Sequence, residues 1–135
     1  MGTYASVCVD IEEGTMVDVQ KLKEIEELYD ERHQGQVGEF IEIDGDKYSL
    51  GDSCKMVNVK FTLDGDKLVD IDAPSYAGLK IREGMDDIVF ATKLSEALKS
   101  GQVIIFYIAD DPRFWAYIVR PGKIRLIDPE KMKYF

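Results

Sequence analysis

The sequence has a single histidine, His33, and this scarcity narrows the chemistry open to the protein. A single histidine excludes every metal site that needs two histidine ligands, and a catalytic serine or cysteine triad would have to use this residue. Its neighbours Glu31 and Arg32 mark the exposed end of a predicted helix, where an imidazole interacts favourably with terminal carbonyls. We therefore expect no catalytic role for His33.

Other common signals are also missing. Two cysteines, Cys8 and Cys54, cannot build a disulfide framework, and cytoplasmic location is the default for such a chain. Neither a Gly-x-Gly-x-x-Gly nor a P-loop spacing occurs, which disfavours nucleotide-dependent chemistry. The sequence shows neither a signal peptide nor an apolar run long enough to span a bilayer, so we expect no membrane association.

Positive charge is scarce: 26 acidic residues stand against 17 basic ones, for a formal net charge of −9. Nucleic-acid binding depends on basic patches that neutralise phosphates, and no basic cluster along the sequence exceeds Lys131 and Lys133. We therefore expect no direct binding to nucleic acid. Two interpretations of the charge remain: it keeps the protein soluble, or it docks the protein on a basic protein partner.

Length and pattern predict one α+β domain covering residues 1–135. The predicted order is β-α-ββββ-α-βββ, with two helices packed on a largely antiparallel, twisted sheet of about 6–8 strands. Residues 130–135 are predicted to be a short helix or a loose tail. With 135 residues, the chain is long enough to bury a core without a disulfide or metal.

The first part of the chain reads as a strand followed by a helix. Alternating apolar residues over 5–11 predict a half-buried strand. Thr15 and Asp18 form a capping-box-like pair that is expected to open the helix, and Gly35 is expected to stop it. The apolar face of this helix is formed by residues at helical spacing: Val19, Leu22, Ile25, Leu28 and Tyr29.

The middle of the chain contains the same turn sequence twice. Residues 41–48 and 61–68 each carry an alternating strand into Asp-Gly, the dipeptide favoured in two-residue hairpins. We predict hairpins at both places, using the same turn. Val69 and Ile71 are expected to continue one apolar face beyond the second turn, alternating with Asp70 and Asp72.

The second half begins with an ambiguous segment. Residues 86–100 fit a helix, while Ile88-Val89-Phe90 also fits a short strand followed by a two-turn helix; the longer helix is favoured. The continuous apolar run over 103–109 predicts a central strand buried on both faces. Two further strands, over 114–119 and 123–127, are expected to flank a turn at Pro121 and Gly122.

Paired carboxylates raise the hypothesis of a calcium or magnesium site. The pairs are Asp44/Asp46, Asp64/Asp66, Asp70/Asp72 and Asp110/Asp111. The calcium-loop spacing fails, because positions five, six and twelve counted from Asp44 are Tyr48, Ser49 and Lys55. Hairpin turns account for the Asp-Gly-Asp sequences, so we predict no metal and no cofactor.

One group of residues is a candidate ligand site. Asp110 and Asp111 follow the predicted central strand and are close in sequence to Arg113 and Trp115. Carboxylates at the end of a buried strand suit a small ligand or metal-dependent hydrolysis. The alternative is that Asp-Asp-Pro is an ordinary turn and that the aromatic residues belong to the core.

These observations rank three hypotheses for function. The first is a small, acidic, non-enzymatic protein that binds a macromolecule, as an inhibitor, immunity or accessory protein does. The second is a small-ligand-binding protein or metal-dependent hydrolase whose site includes Asp110, Asp111, Arg113 and Trp115. The third is a homo-oligomer that pairs through an exposed strand edge or the segment 132–135.

Overall fold

A computed structural model describes residues 3–29, 40–43, 46–49, 59–72, 80–81, 86–109 and 113–129. The predicted α+β class is confirmed: the strands pair antiparallel and two helices pack on them. In chain order the elements are β1 (Thr3–Ile11), β2 (Met16–Val17), α1 (Val19–Leu28), β3 (Phe40–Ile43), β4 (Asp46–Ser49), β5 (Lys60–Asp64), β6 (Lys67–Asp72), β7 (Lys80–Ile81), α2 (Asp86–Ala97), β8 (Leu98–Ser100), β9 (Val103–Ala109), β10 (Phe114–Arg120) and β11 (Lys123–Ile127).

The strands of the described residues fall into two larger sheets and a separate hairpin. The five-stranded sheet has the order β11-β10-β9-β1-β7, and the four-stranded sheet has the order β5-β6-β2-β8. Strands β3 and β4 pair with each other. The four strands predicted to form one meander are therefore two hairpins that belong to different sheets.

The five-stranded sheet has one face against the core, here called the inner face. Its buried side chains pack with those of both helices and the second sheet. The inner face of β1, β9 and β10 includes Ala5, Val7, Val103, Ile105, Tyr107, Trp115, Tyr117 and Val119. Because this packing occupies one face alone, the opposite or outer face is free of those elements.

Strand β9 lies at the centre of this sheet, as predicted. The prediction that it is buried on both faces is wrong. Ile104 and Phe106 are half-buried on the outer face, and Ile108 is 50% exposed there. The apolar run therefore reflects a core on one side and an apolar surface on the other.

The start and end of α1 differ from prediction. Asp18, not Thr15, is the N-cap: its carboxylate accepts hydrogen bonds from the backbone N–H groups of Gln20 (3.0 Å) and Lys21 (3.3 Å). Such a cap is worth about 1 kcal/mol. The helix ends at Leu28, with Tyr29 as C-cap, so the stop predicted at Gly35 is wrong. The buried Tyr29 ring packs edge-on against Phe90 of α2, which fixes this end of the helix.

The favoured helix in the second half is confirmed over Asp86–Ala97, including Ile88-Val89-Phe90. It ends three residues before the predicted boundary at Ser100. Leu98–Ser100 instead forms the short strand β8, which pairs with β2. The requirement of the sheet for a partner strand overrides helical propensity there.

Candidate functional site

The predicted site residue Trp115 lies in the core. It is 3% exposed, and its indole Nε1 donates a hydrogen bond of 2.9 Å to Oδ2 of Asp87. The Tyr117 hydroxyl donates to the same carboxylate oxygen, also at 2.9 Å. Tyr107 stacks on Trp115 with ring centroids 5.5 Å apart. These contacts join the first turn of α2 to β10 and β9, which is a structural use of all four side chains.

The sequence pattern did not predict a buried role for Asp87. In the structure this residue is only 1% exposed. A buried carboxylate requires hydrogen-bond donors, and a helix N-terminus also favours negative charge. The sequence signal for its partners is the spacing of Trp115 and Tyr117, which puts an indole N–H and a phenol on one face of a strand. Both groups need an acceptor when they are buried.

Arg113 lies beside this cluster, with its guanidinium carbon 5.6 Å from the centroid of the Trp115 ring. Its backbone carbonyl accepts a hydrogen bond from the Ala109 N–H, at the end of the paired strands β9 and β10. Asp110 and Asp111 lie outside the described residues. The structure thus brings Arg113 and Trp115 together, and the ligand site that would include all four residues stays a prediction.

Other residues with reactive side chains give no catalytic constellation in the part of the chain that the structure describes. No group of three or more His, Cys, Asp or Glu residues there could hold a metal ion. Cys8 is an exposed free thiol on the outer face of the five-stranded sheet. His33 and Cys54 lie outside the described residues.

A depression of about 320 Å³ lies between the two helices. Its charged side chains are two lysines and two glutamates, so it favours neither anions nor cations. Lys21 Nζ also donates a hydrogen bond of 3.3 Å to the Glu96 carbonyl, across the gap between the helices. The lining residues are Lys21, Glu24, Ile25, Leu28, Lys93 and Glu96.

A more distinctive surface is the hairpin of β5 and β6, here called the acidic hairpin. Over residues 59–72 it exposes four aspartates, against the two lysines Lys60 and Lys67. The aspartates are Asp64, Asp66, Asp70 and Asp72. Lys60 pairs with Asp72 and Asp64 pairs with Lys67 across the strands, so Asp66 and Asp70 have no cation directly opposite on the other strand.

The turn of the acidic hairpin differs by one residue from the prediction. Asp64 and Lys67 are paired, so the two-residue loop is Gly65-Asp66 rather than Asp64-Gly65, and Gly65 takes a φ of +62°. The first turn, at Asp44-Gly45, lies outside the described residues, although Ile43 is paired with Asp46. The prediction that both hairpins use the same turn is therefore wrong for the second copy.

A β-bulge sets which side chains the acidic hairpin exposes. Leu63 pairs with Leu68 and Thr62 pairs with Asp70, which leaves Val69 as the extra residue. Leu68 and Ile71 are buried, whereas Val69 is 50% exposed. The prediction that Val69 shares the buried face of Ile71 is wrong, because the bulge shifts the alternation by one residue. The acidic hairpin consequently exposes one apolar side chain, next in sequence to Asp70.

Two backbone hydrogen bonds attach the acidic hairpin to β2 and to the residue that precedes it, Thr15. Val17 N–H donates to the Asp66 carbonyl (2.8 Å), and Leu68 N–H donates to the Thr15 carbonyl (2.9 Å). The connection between β1 and β2 also carries the exposed residues Glu12 and Glu13. Backbone pairing therefore places further carboxylates near the turn end of the hairpin.

The outer edge of β5 is partly closed by α1. Glu26 Oε2 accepts a hydrogen bond of 2.9 Å from the Phe61 N–H, a donor on the strand edge that points away from β6. An occupied donor makes the edge a poorer template for an added strand. The side chains of the acidic hairpin, rather than its backbone, are thus its available contact surface.

Neither helix in the described ranges is long and apolar enough to cross a membrane. Comparison of the chain with protein families, with curated proteins and with solved structures found no match.

Proposed function

We propose that this protein acts without catalysis, by binding a protein with a basic surface, in the manner of an inhibitor, immunity or accessory protein. The observation that carries the proposal is the acidic hairpin, which exposes four aspartates and the side chain of Val69. Carboxylates around an apolar contact suit a patch of Lys or Arg with an apolar centre.

The charge of the whole chain supports the same choice of partner. A net charge of −9 creates a field that attracts a basic protein and speeds its encounter. The field alone does not select a docking surface, since exposed carboxylates also occur on both helices. The acidic hairpin differs from those helical surfaces in combining excess negative charge with an exposed apolar residue on two paired strands.

We expect the triple variant Asp66→Asn, Asp70→Asn, Asp72→Asn to bind basic probes about tenfold more weakly than the wild-type protein. Each exposed ion pair contributes about 0.2–1 kcal/mol, and three are removed together. The probes are cytochrome c and a short poly-L-lysine peptide, and the measurement is titration calorimetry at low ionic strength.

The matched control is the triple variant Glu24→Gln, Glu27→Gln, Glu96→Gln, which removes the same charge from exposed helical positions. If the acidic hairpin is the docking surface, this control loses less than about threefold in affinity. Equal losses in the two variants would mean that only net charge attracts the probes. That result would overturn the assignment to the hairpin.

A further inference from the structure

The outer face of the five-stranded sheet is apolar at its centre. Strand pairing places the side chains of β9 and β10 in three adjacent rows: Ile108 beside Phe114, Phe106 beside Ala116, and Ile104 beside Ile118. Phe114 is 55% and Ile108 is 50% exposed, whereas Ile104, Phe106 and Ile118 are half-buried and Ala116 is buried. The two helices and the second sheet pack on the inner face, so this apolar surface belongs to none of the core contacts.

The two sides of this face carry opposite charges. On β1, Asp10 is exposed and lies in the same cross-strand row as Ile104, and the exposed Glu12 comes directly after the strand. On β11, Arg125 is exposed and lies in the row of Ile118. One row thus runs Asp10, Ile104, Ile118, Arg125 across four strands.

The next row along the sheet repeats this asymmetry. Its order is Glu12, Gln102, Arg120, Lys123. The Glu12 N–H donates to the Gln102 carbonyl, and Arg120 Nε donates to Gln102 Oε1 at 2.9 Å. Arg120 in turn pairs with Lys123 across the strands. The β1 side is therefore acidic and the β11 side is basic. The basic side is notable in a chain whose net charge is −9.

We propose that the outer face binds a second copy of this chain, face to face, about a two-fold axis parallel to the strands and midway between β9 and β10. Such an axis lays the acidic side of one copy over the basic side of the other. Asp10 then meets the partner's Arg125, and the symmetric contact forms at the other side. An axis perpendicular to the strands would instead oppose like charges, so the charge pattern selects the first arrangement.

Side-chain size agrees with the same axis. The half-buried Phe106 of one copy lies over the position of the small Ala116 of the other, which is buried between its neighbours, and the exposed Ile108 lies over the exposed Phe114 in the next row. Aligned packing of two sheets interdigitates side chains in this way at a separation of about 10 Å. The four strands span about 14 Å between the outermost chains at a strand spacing of about 4.8 Å. A contact surface of this width is small for a specific interface, so we expect a dimer that dissociates at micromolar concentration.

The test is sedimentation equilibrium of the full chain from about 1 µM to about 500 µM, spanning the expected dissociation range. The wild-type protein is expected to shift from monomer to dimer over this range. The charge reversals Asp10→Lys and Arg125→Glu are each expected to weaken the dimer about tenfold or more, because both symmetric contacts become repulsive. The double variant restores opposite charges at both contacts and is expected to return to within about threefold of wild type.

The control pair is Lys23→Glu and Glu24→Lys, which changes net charge by equal amounts at exposed positions of α1, a helix that packs on the inner face. Each variant of this pair is expected to keep the dissociation constant of the dimer within about threefold of the wild-type value. A chain that stays monomeric throughout would overturn the proposal and would mean that another partner or part of the chain covers the face. Two other results would also overturn it. One is a dissociation constant that changes as much with the control variants as with the variants at Asp10 and Arg125. The other is a double variant at Asp10 and Arg125 that dimerises no more tightly than the single variants.

Discussion

Asp87→Ala is expected to lower the free energy of unfolding by about 3–5 kcal/mol, which is a large part of the about 5–15 kcal/mol typical of a domain. The substitution removes the acceptor of two buried hydrogen bonds, those from Trp115 Nε1 and the Tyr117 hydroxyl. Each donor then bears the cost of desolvation without a charged acceptor, which is about 1–3 kcal/mol per group. Urea unfolding followed by tryptophan fluorescence gives the change directly, because Trp115 is the one tryptophan of the chain.

Two further variants separate the hydrogen bonds from the loss of side-chain volume. Asp87→Asn keeps an acceptor oxygen and similar volume, so we expect it to destabilise less than Asp87→Ala. Tyr117→Phe removes one donor, and its effect should shrink when Asp87 is already alanine, since the two residues share a hydrogen bond. If Asp87→Ala stays within about 1 kcal/mol of wild type, the carboxylate does not hold α2 to β10 as described.

Gly101→Ala is expected to destabilise the protein by about 3 kcal/mol, through two separate effects. Gly101 has a φ of +88°, a conformation unfavourable for residues with a Cβ. A Cβ at this position would also lie 2.7 Å from the Cα of Thr15, so the backbone would have to shift. Thr15 has little freedom to move: it is fully buried, and its hydroxyl donates to the Glu12 carbonyl (2.7 Å) and accepts from Gln102 N–H (3.2 Å).

Gly14→Ala is the matched control for this substitution. Gly14 has a φ of +85°, but a Cβ there would meet nothing within 4 Å. It is expected to show the conformational effect alone, about 1 kcal/mol in urea unfolding. The difference between the two variants measures the contact between Thr15 and Gly101. Equal destabilisation of both would contradict the close packing of the turns before β2 and β9.

Much of the fold follows from local pattern in the sequence. The alternation in β1, the helical spacing of Leu22 and Ile25, and the central position of β9 were all predicted correctly. The prediction that the apolar run over 103–109 is buried on both faces was wrong. A strand buried on both faces and a strand with one buried and one exposed apolar face have the same sequence pattern. Only the placement of the helices distinguishes the two, and that is a property of the whole chain.

The proposed functional surfaces were harder to predict from the sequence, because they too depend on how the whole chain is arranged. Nothing in the sequence marks the bulge at Val69. The bulge nevertheless exposes this valine on the acidic hairpin, in addition to the aspartates. Trp115 was predicted to belong to a ligand site with Asp110, Asp111 and Arg113, but it is buried, and its indole N–H bonds to Asp87, which is 28 positions away. The opposed charges of Asp10 and Arg125 likewise share a row only once strand order is known.

The most direct test of the proposed function is the salt dependence of binding to cytochrome c, measured for the wild-type protein and for the variant Asp66→Asn, Asp70→Asn, Asp72→Asn. Exposed charges are screened over about 10 Å at 0.1 M salt, so wild-type affinity should fall steeply between low and moderate ionic strength. The variant should bind more weakly and show a flatter dependence, because fewer charges contribute. Affinity that is insensitive to salt, or the same slope in both proteins, would contradict an acidic hairpin that docks on a basic partner.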